Sequence, residues 1–566
     1  MQPEVPVMSA TLPPPPLPVT PCTTLTVGAA ICRMLSSWGV TTSFGVISIH
    51  NMPILDPMGV DGAIRFVAAR GEAGALNMAD AYARVSNHLG VAFTSTGTAA
   101  GNAAGAMVEA LTAGSPVLHI TGQVPVEHLD RDRAYIHEAP DQLTMLSAIS
   151  KRAFRIDDAA SALDVLAQAA SCALSAPRGP VSVEIAIDIQ AATIPLPDAF
   201  PVLEITTIQP DAAKVTALAD RLRAARRPLI LLGGGARGAG EAATALANAG
   251  VGIVTSTSGR GIVAETHPMS LGAFNCTDQV QALYASCDLL IVAGSRLRGN
   301  ETWTYRLGLP ADMVQIDVDG TADGRCYPNA QFIQGDAPAV LVALAQVAGE
   351  LTIDPALAGD VAAARATMVQ ALRDDVGPYA ALVDALQPRM PEGAAWVRDV
   401  TISNSMWGNR YLRVGDERAG VHAVGGGIGQ GLPMGVGAAL GRDAGAVVLS
   451  GDGGLCLCLG ELLTAVDEKA PLTLVLMNDN GYGVIRNIQD TTYGGRKFYS
   501  NILIPDFALL AQSIGLPHQR VSNLDDIPAA LDAAMAIDGP AVVEVDMGTI
   551  GGFAKTFAGP PTVERK

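Results

Sequence analysis

Charge is scarce in this chain. Of its 566 residues only 16% are Asp, Glu, Lys or Arg, against 49% hydrophobic. That balance excludes a disordered protein and points to large buried α/β cores. The charge present is acidic, net −18 at pH 7, which argues against nucleic acid as a partner. Long apolar runs are also absent. None reaches the ~18–20 residues of a membrane span, so no membrane association is expected. The N-terminal MQPEVPVMSATLPPPPLPVTP lacks a basic start and an apolar stretch, so no secretory signal is expected. Its prolines predict a flexible, polyproline-like tail over 1–22. Cysteines number eight and are scattered. Cys32, Cys172 and Cys287 lie in apolar segments, which reads as reduced, buried thiols in a cytoplasm. Cys456 and Cys458 have CxC rather than CxxC spacing and read as packing residues.

The length fits three domains of roughly 150–200 residues. The first expected domain covers 23–190. There TTSFGVI, GVAFTST, SPVLHITG and PVSVEIAID alternate with helical patterns such as RGEAGALNMADAYARV. The linker IQAATIPLPDAFP follows, its prolines breaking regular structure. A linker and central domain (191–360) carry RPLILLGGG, GVGIVTS, DLLIVAGS and DMVQIDVD. A helical Ala-rich stretch, Val361–Arg373, opens the last domain (361–566), which carries GAAWVRDVTIS, GAVVLSGDG, LTLVLMNDN and PAVVEVDMG. The fold class expected is therefore α/β, as three doubly wound parallel-sheet domains.

In the central segment Gly233-Gly234-Gly235-Ala236-Arg237-Gly238 matches GxGxxG after a strand. A dinucleotide fold also needs an acidic residue at the end of the next strand, for the ribose. That strand ends in Ser and Thr. A tight strand-to-helix turn accounts for the glycines, and an adenine-nucleotide or flavin (FAD) site stays open.

The chemistry concentrates between Ser450 and Asn487. One apolar run ends in Gly451-Asp452-Gly453-Gly454, and a second ends in Asn478-Asp479-Asn480-Gly481. Asp452 and Asp479 stand 27 positions apart, each at a predicted strand end. On parallel neighbouring strands both carboxylates would reach the crevice at the strands' carboxyl ends. Hard oxygen ligands beside a glycine turn suit Mg²⁺ holding a diphosphate.

This pattern resembles the metal–diphosphate motif of thiamine-diphosphate (ThDP) enzymes. The resemblance implies that Asp452, Asp479 and the carbonyl of Gly481 hold Mg²⁺ or Ca²⁺, with Gly453, Gly454 and Tyr482 beside the cofactor. Asp479 stands where many relatives have Asn. Ser403-Asn404-Ser405-Met406-Trp407 resembles the diphosphate-contacting loop before the Met-Trp pair of acetolactate-synthase relatives. GGGIGQGLP resembles the segment whose apolar residue bends the cofactor; that residue would be Ile428, with Gly427 among the glycines approaching the aminopyrimidine. Arg70-Gly71-Glu72-Ala73-Gly74-Ala75 resembles R-H-E-x-G-A, which makes Glu72 the carboxylate that activates the cofactor through its pyrimidine ring. Gly71 replaces the usual His.

Phe44 to Asn51 stands where relatives read F-G-x-P-G-x-x-N, which makes Asn51 a cofactor contact. Ser95-Thr96-Gly97-Thr98-Ala99 replaces a G-P-G turn, implying loops of different shape near the thiazolium. Tyr135-Ile136-His137-Glu138 is similar to a substrate-facing Phe-Gln-Glu stretch. His137 in the Gln place is either a proton donor or acceptor, or a structural His bonded to backbone. The paired histidines of pyruvate decarboxylase do not appear in the sequence. Ile47, Ile49, Ile136 and Trp407 would make an apolar pocket.

The resemblance spans about 23–555 and implies pyrimidine-binding, central and diphosphate-binding domains. It further implies an acetolactate synthase-like carboligase or decarboxylase. Ylide addition to a 2-oxo acid, loss of CO₂ and an enamine would precede protonation to an aldehyde or addition to an aldehyde or second 2-oxo acid. Relatives bind the cofactor between subunits, so a homodimer or homotetramer is expected, with Glu72 and Asp452 meeting across the interface. Simple decarboxylation or C–C cleavage is the alternative, and a catalytically idle binding protein the further one.

Overall fold

The computed structural model describes residues 23–328 and 331–557. The expected tail over 1–22 lies outside the described residues. Strands are numbered along the chain: β1 Thr24–Thr26, β2 Thr42–Gly45, β3 Arg65–Ala68, β4 Gly90–Thr94, β5 Val117–Gln123, β6 Arg152–Ile156, β7 Val181–Ala186 and β8 Thr193–Pro195. The central region adds β9 Pro228–Leu232, β10 Gly252–Thr255, β11 Leu289–Ala293, β12 Met313–Asp317 and β13 Gln331–Gln334. The last region adds β14 Ala395–Arg398, β15 Gly420–His422, β16 Ala446–Gly451, β17 Leu472–Asn478, β18 His518–Val521 and β19 Ala541–Asp546.

Besides a two-stranded β1-β8 sheet, the described residues form three larger sheets, ordered β3-β2-β4-β5-β7-β6, β10-β9-β11-β12-β13 and β15-β14-β16-β17-β19-β18. Every pairing within them is parallel. Parallel strands are buried on both faces, which is why they read as continuous apolar runs. β17, LTLVLMN, is buried at every residue. The strands that sequence reading passes over are β6, β13, β15 and β18; each lies at a sheet edge. β6 and β18 carry arginines and mostly half-exposed or exposed residues, so they lack that apolar signature.

The first linker differs from expectation. Residues 187–191 form a short helix, and β8 pairs antiparallel with β1. Pro195 ends that strand without breaking it, because a short edge strand tolerates a missing donor. The segment WVRDVTI is a strand only as far as Arg398.

The two outer sheets share a core. Helix Glu72–Ser86 is buried from Gly74 to Val85 and lies on helix Gly431–Leu440. A Cβ at Gly437 would collide with the Met78 carbonyl, so this close crossing requires glycine. The central sheet packs with the other face of the last one, around Trp396 and Trp407. Burying each such large side chain contributes ~1.5–3 kcal/mol. Among the described residues no helix is long and apolar enough to cross a membrane.

Candidate active site

Eight strand ends carry the candidate residues, in two sets of four neighbours. In the last sheet they follow β15, β14, β16 and β17, in spatial order Ile428, Ser403-Asn404, Asp452 and Asp479–Tyr482. Asp452 is fully buried at the end of β16. Its two carboxylate oxygens accept the N–H of Gly481 at 2.6 Å and of Asp479 at 3.3 Å. Asp452 thus fixes the turn after β17 directly beside itself. Glycines make the space. A Cβ at Gly453 would sit 2.7 Å from the Gly481 carbonyl and 2.8 Å from the Tyr482 ring. A Cβ at Gly483 would collide with the Asp479 carboxylate. The spacing of 27 residues therefore brings together two carboxylates and one carbonyl.

Burial pushes both carboxyls up. Asp479 rises to about 7, chiefly by burial, with Arg486 opposing and Asp452 adding to the rise. Asp452 rises by burial, opposed first by the Gly481 N–H. Two acids crowded like this favour a proton or a cation between them. Arg486 lies 3.0 Å from Asp479 and partly balances the charge that Asn would not carry.

Ser403 and Asn404 precede and open the helical turn Asn404–Gly408. Both side chains are buried, and among the described residues Ser403 Oγ and Asn404 Oδ1 have no hydrogen-bond partner. Buried polar atoms left unpaired are costly, so these two are placed to be satisfied by a ligand or water. Trp407 does not line a pocket as expected: it is fully buried and stacked on Trp396 with centroids 5.8 Å apart. The apolar pocket loses that wall, because the helical turn points the indole into the core.

Ile428 is 40% exposed on a loop with left-handed glycines at Gly426 and Gly429. Gly427 lies beside it, close against Gln430. What holds this loop is a residue that motif reading missed. Asp399, fully buried at the end of β14, accepts Val400 N–H (2.7 Å), Gly429 N–H (3.1 Å) and Ser450 O–H (3.2 Å). Burial pushes its carboxyl up to about 6, with the Val400 and Gln430 N–H groups and the Ser450 hydroxyl opposing. It stood in plain view in WVRDVTI, but only the fold shows three neighbouring strand ends converging on it. Replacing Asp399 with Asn sets an N–H₂ against donors. It should lower stability by about 1–3 kcal/mol and weaken binding at the Ile428 loop. Denaturant unfolding and a ThDP titration read the two effects.

Glu109, from the first domain, fastens the start of the same loop by accepting Val424 N–H at 2.6 Å and Gly425 N–H at 2.7 Å. Buried Arg84 bridges Glu109 (3.0 Å) and Asp80 and donates to the His422 carbonyl (2.7 Å).

In the first sheet the candidate groups follow β3, β2, β4 and β5. Glu72, after β3, opens its helix and accepts from Asn102 Nδ2 at 3.2 Å. A carboxylate in a helix's first turn is favoured by the exposed N–H groups. Asn51, after β2, is buried. Its Nδ2 donates to the Val46 carbonyl (3.0 Å) and its Oδ1 accepts Ser48 N–H (2.8 Å), so the amide shapes its own loop. His137, after β5, is exposed, and among the described residues its ring is bonded to no backbone group. Its ring instead meets that of His50, with centroids 5.2 Å apart and planes at 75°. Two histidine rings thus meet, each brought by a separate loop.

The 95–98 turn positions that loop. Gly97 has φ +61, and a Cβ there would collide with the His137 carbonyl. Gln142 Oε1 accepts Gly97 N–H (2.6 Å) and Thr96 O–H (2.9 Å), while Gln142 Nε2 donates to Glu184 (3.0 Å). Arg155 then joins Glu184 to Asp130 in the loop before His137. Gly97→Ala meets both a left-handed backbone and a backbone obstacle. It should displace the 130–138 loop and cut turnover at least about 10-fold, with exchange of that loop's amides rising in hydrogen–deuterium exchange.

Within one chain the two sets do not join. Glu72 reaches Asn102, and among the described residues no hydrogen bond or ion pair links it to Asp452 or Asp479. The approach to Glu72 is instead met by Glu461 of the same chain, which accepts Arg70 N–H at 3.2 Å. Exposed apolar side chains ring both sets: Ile47, Ile49 and Ile136 on the first, Ile428, Leu457 and Leu503 on the second.

The remaining expectations concern thiols and the central glycines. All seven described cysteines are free. Cys32 is buried and its thiol is pushed up to about 12, chiefly by burial; Cys172, Cys287, Cys456 and Cys458 are only half-buried. A Cβ at Gly233 would strike the Gly294 carbonyl, and one at Gly294 would strike Gly235. The glycine turns after β9 and β11 thus press on one another, and packing accounts for them.

Comparison with known proteins fits this division. Thiamine pyrophosphate enzyme family profiles match in succession: the N-terminal TPP binding domain over 25–145, the central domain over 215–344 and the C-terminal TPP binding domain over 402–545. The chain is 32% identical to a probable 2-ketoarginine decarboxylase of Pseudomonas aeruginosa, covering 94% of this chain and 95% of that protein. It is 29% identical to the acetolactate synthase isozyme 2 large subunit of Escherichia coli (91% and 94% covered) and 25% identical to a chloroplastic acetolactate synthase of Nicotiana tabacum (91% and 81%).

Proposed function

The chain belongs to the thiamine pyrophosphate enzyme family, and we propose that it is a ThDP-dependent enzyme that removes CO₂ from a 2-oxo acid. The carrying observation is the cluster of Asp452, Asp479 and the Gly481 carbonyl around glycines that admit no side chain. Two carboxylates and a carbonyl fit a hard divalent ion, Mg²⁺ before Ca²⁺. The unpartnered Ser403 hydroxyl can donate to a diphosphate beside it, and Asn404 adjoins that place. Gly453, Gly454 and Tyr482 shape that end, and Gly427 and Ile428 face the rest of the cofactor. We assign the domains as pyrimidine-binding (23–190), central with its linker (191–360) and diphosphate-binding (361–566).

When bound, ThDP supplies a nucleophilic carbon and an electron sink for the pair left by CO₂. Glu72 exchanges a proton with the cofactor's pyrimidine ring. Asp452 and Asp479 hold the ion. Asp399 and Glu109 hold the loop carrying Ile428. His137 moves a proton at the substrate's reacting carbon. The exposed apolar rims support a homodimer or homotetramer in which one subunit's Glu72 faces its partner's diphosphate-binding domain.

The product is an aldehyde, or the adduct with a second carbonyl compound. Relatives of both kinds support the shared decarboxylating step: one is named a decarboxylase, others acetolactate synthases. The test is product mass analysis after incubation with ThDP, Mg²⁺ and a panel of 2-oxo acids, some with cationic tails. CO₂ with an aldehyde or ligated product is expected. Failure to consume any acid in the panel would contradict the proposal.

A further inference from the structure

The sheet order places the loops after β2 and β5 on either side of the turn after β4. The two rings meet over that turn. His50 is the inner one, 5% exposed. Its carbonyl accepts Gln190 Nε2 at 2.7 Å and its Nδ1 lies 3.4 Å from Ser95 Oγ. Gly122 leaves the room it needs, since a Cβ there would lie 2.6 Å from that of His50. His137 is the outer one. Its backbone holds φ +67, a conformation that residues with side chains seldom adopt. The turn is braced by Glu138, whose carboxylate accepts Arg133 N–H (3.1 Å) and Tyr135 N–H (3.0 Å). A strained backbone braced this way delivers one exposed imidazole onto one buried imidazole.

The charged groups on the surrounding elements are committed elsewhere. Asp188 accepts Val126 N–H and Asp141 accepts Thr144 N–H. Arg155 holds Asp130 and Glu184, Glu127 lies by His128, and Glu72 accepts from Asn102. None of them is bonded to either ring among the described residues. Two imidazoles this close resist both being charged. His50 is the one kept neutral, since burial first, and then His137, lowers its proton affinity.

We propose that His50 and His137 form one proton-carrying pair whose outer member protonates the carbon that loses CO₂, making an aldehyde the product. The bond to the carboxylate breaks and CO₂ leaves. The electron pair of that bond ends in a new C–H bond, formed with the proton of the His137 ring. The now neutral His137 regains a proton from solvent. One 2-oxo acid anion and one proton thus give one aldehyde and one CO₂. His50 is a positioning residue: it aligns the His137 ring and keeps the proton on the outer member. The proposal rests on the 2-oxo acid reading of the site and selects between its two products.

The test uses full-length protein carrying ¹³C-labelled histidine; with eight histidines, single substitutions assign the signals. Replacing His137 with Phe should move the His50 titration midpoint upward, and an unchanged midpoint would overturn the pairing. His137→Phe should also cut aldehyde release by about 10²–10⁴-fold. His50→Phe keeps a ring against His137 while removing its nitrogens. It should slow aldehyde release about tenfold and change the shape of the pH–rate profile, with His50→Gln as a second variant should Phe not fold. An unchanged profile in a folded His50 variant overturns the positioning role. Coupled titration in a protein that consumes no 2-oxo acid would overturn the functional reading and leave the pairing intact.

Discussion

Replacing Glu72 with Gln is expected to lower turnover by about 10²–10⁴-fold, equivalent to ~3–5 kcal/mol of transition-state stabilisation. Cofactor affinity should fall far less. The side chain stands half-buried at the first turn of its helix and accepts a single hydrogen bond, from Asn102. Gln fills the same volume and can still accept from Asn102, so the fold is spared. What it cannot do is exchange a proton. Single-turnover kinetics beside a ThDP titration separates the two effects. Full activity in this variant would remove Glu72 from the chemistry.

Replacing Asp452 with Ala should act in the opposite order. Here binding fails first, with ThDP–Mg²⁺ affinity falling at least about 100-fold. The carboxylate has two tasks: it would hold the cation, and it takes the N–H groups of Gly481 and Asp479. Losing it leaves two donors unpaired beside a buried carboxyl, at about 1–3 kcal/mol each. Asp452→Asn separates the tasks. The amide oxygen can still accept one N–H, so stability should recover in part while cation affinity stays low. Calorimetric titration with Mg²⁺ and ThDP, paired with denaturant unfolding, reads both quantities. Undiminished Mg²⁺-dependent ThDP binding by the Ala variant would place the cation elsewhere.

The sheets were legible where strands are buried on both faces. β17 and β19 announce themselves as mostly apolar runs because every residue in them is buried. Edge strands such as β18, HQRV, carry solvent-facing polar residues and do not. Asp452, Asp479 and Glu72 were legible because each stands at a glycine-marked strand end, a local feature. Asp399 was not, because its role depends on three strand ends that are distant in sequence. The His50–His137 contact was hidden for the same reason: 87 positions and three strands separate residues whose rings touch. Trp407 misled through proximity. It follows the diphosphate loop in sequence, yet the turn Asn404–Gly408 rotates it into the core.

The central claim is that one active site is assembled from Glu72 of one subunit and the Asp452–Asp479 cluster of another. Mixing inactive Glu72→Gln and Asp452→Ala proteins under conditions that exchange subunits tests it directly. Each mixed dimer then contains one site with both native halves, so activity that neither parent shows should appear. No recovery, with mixed dimers demonstrated by differential tagging, would mean that the site lies within one chain.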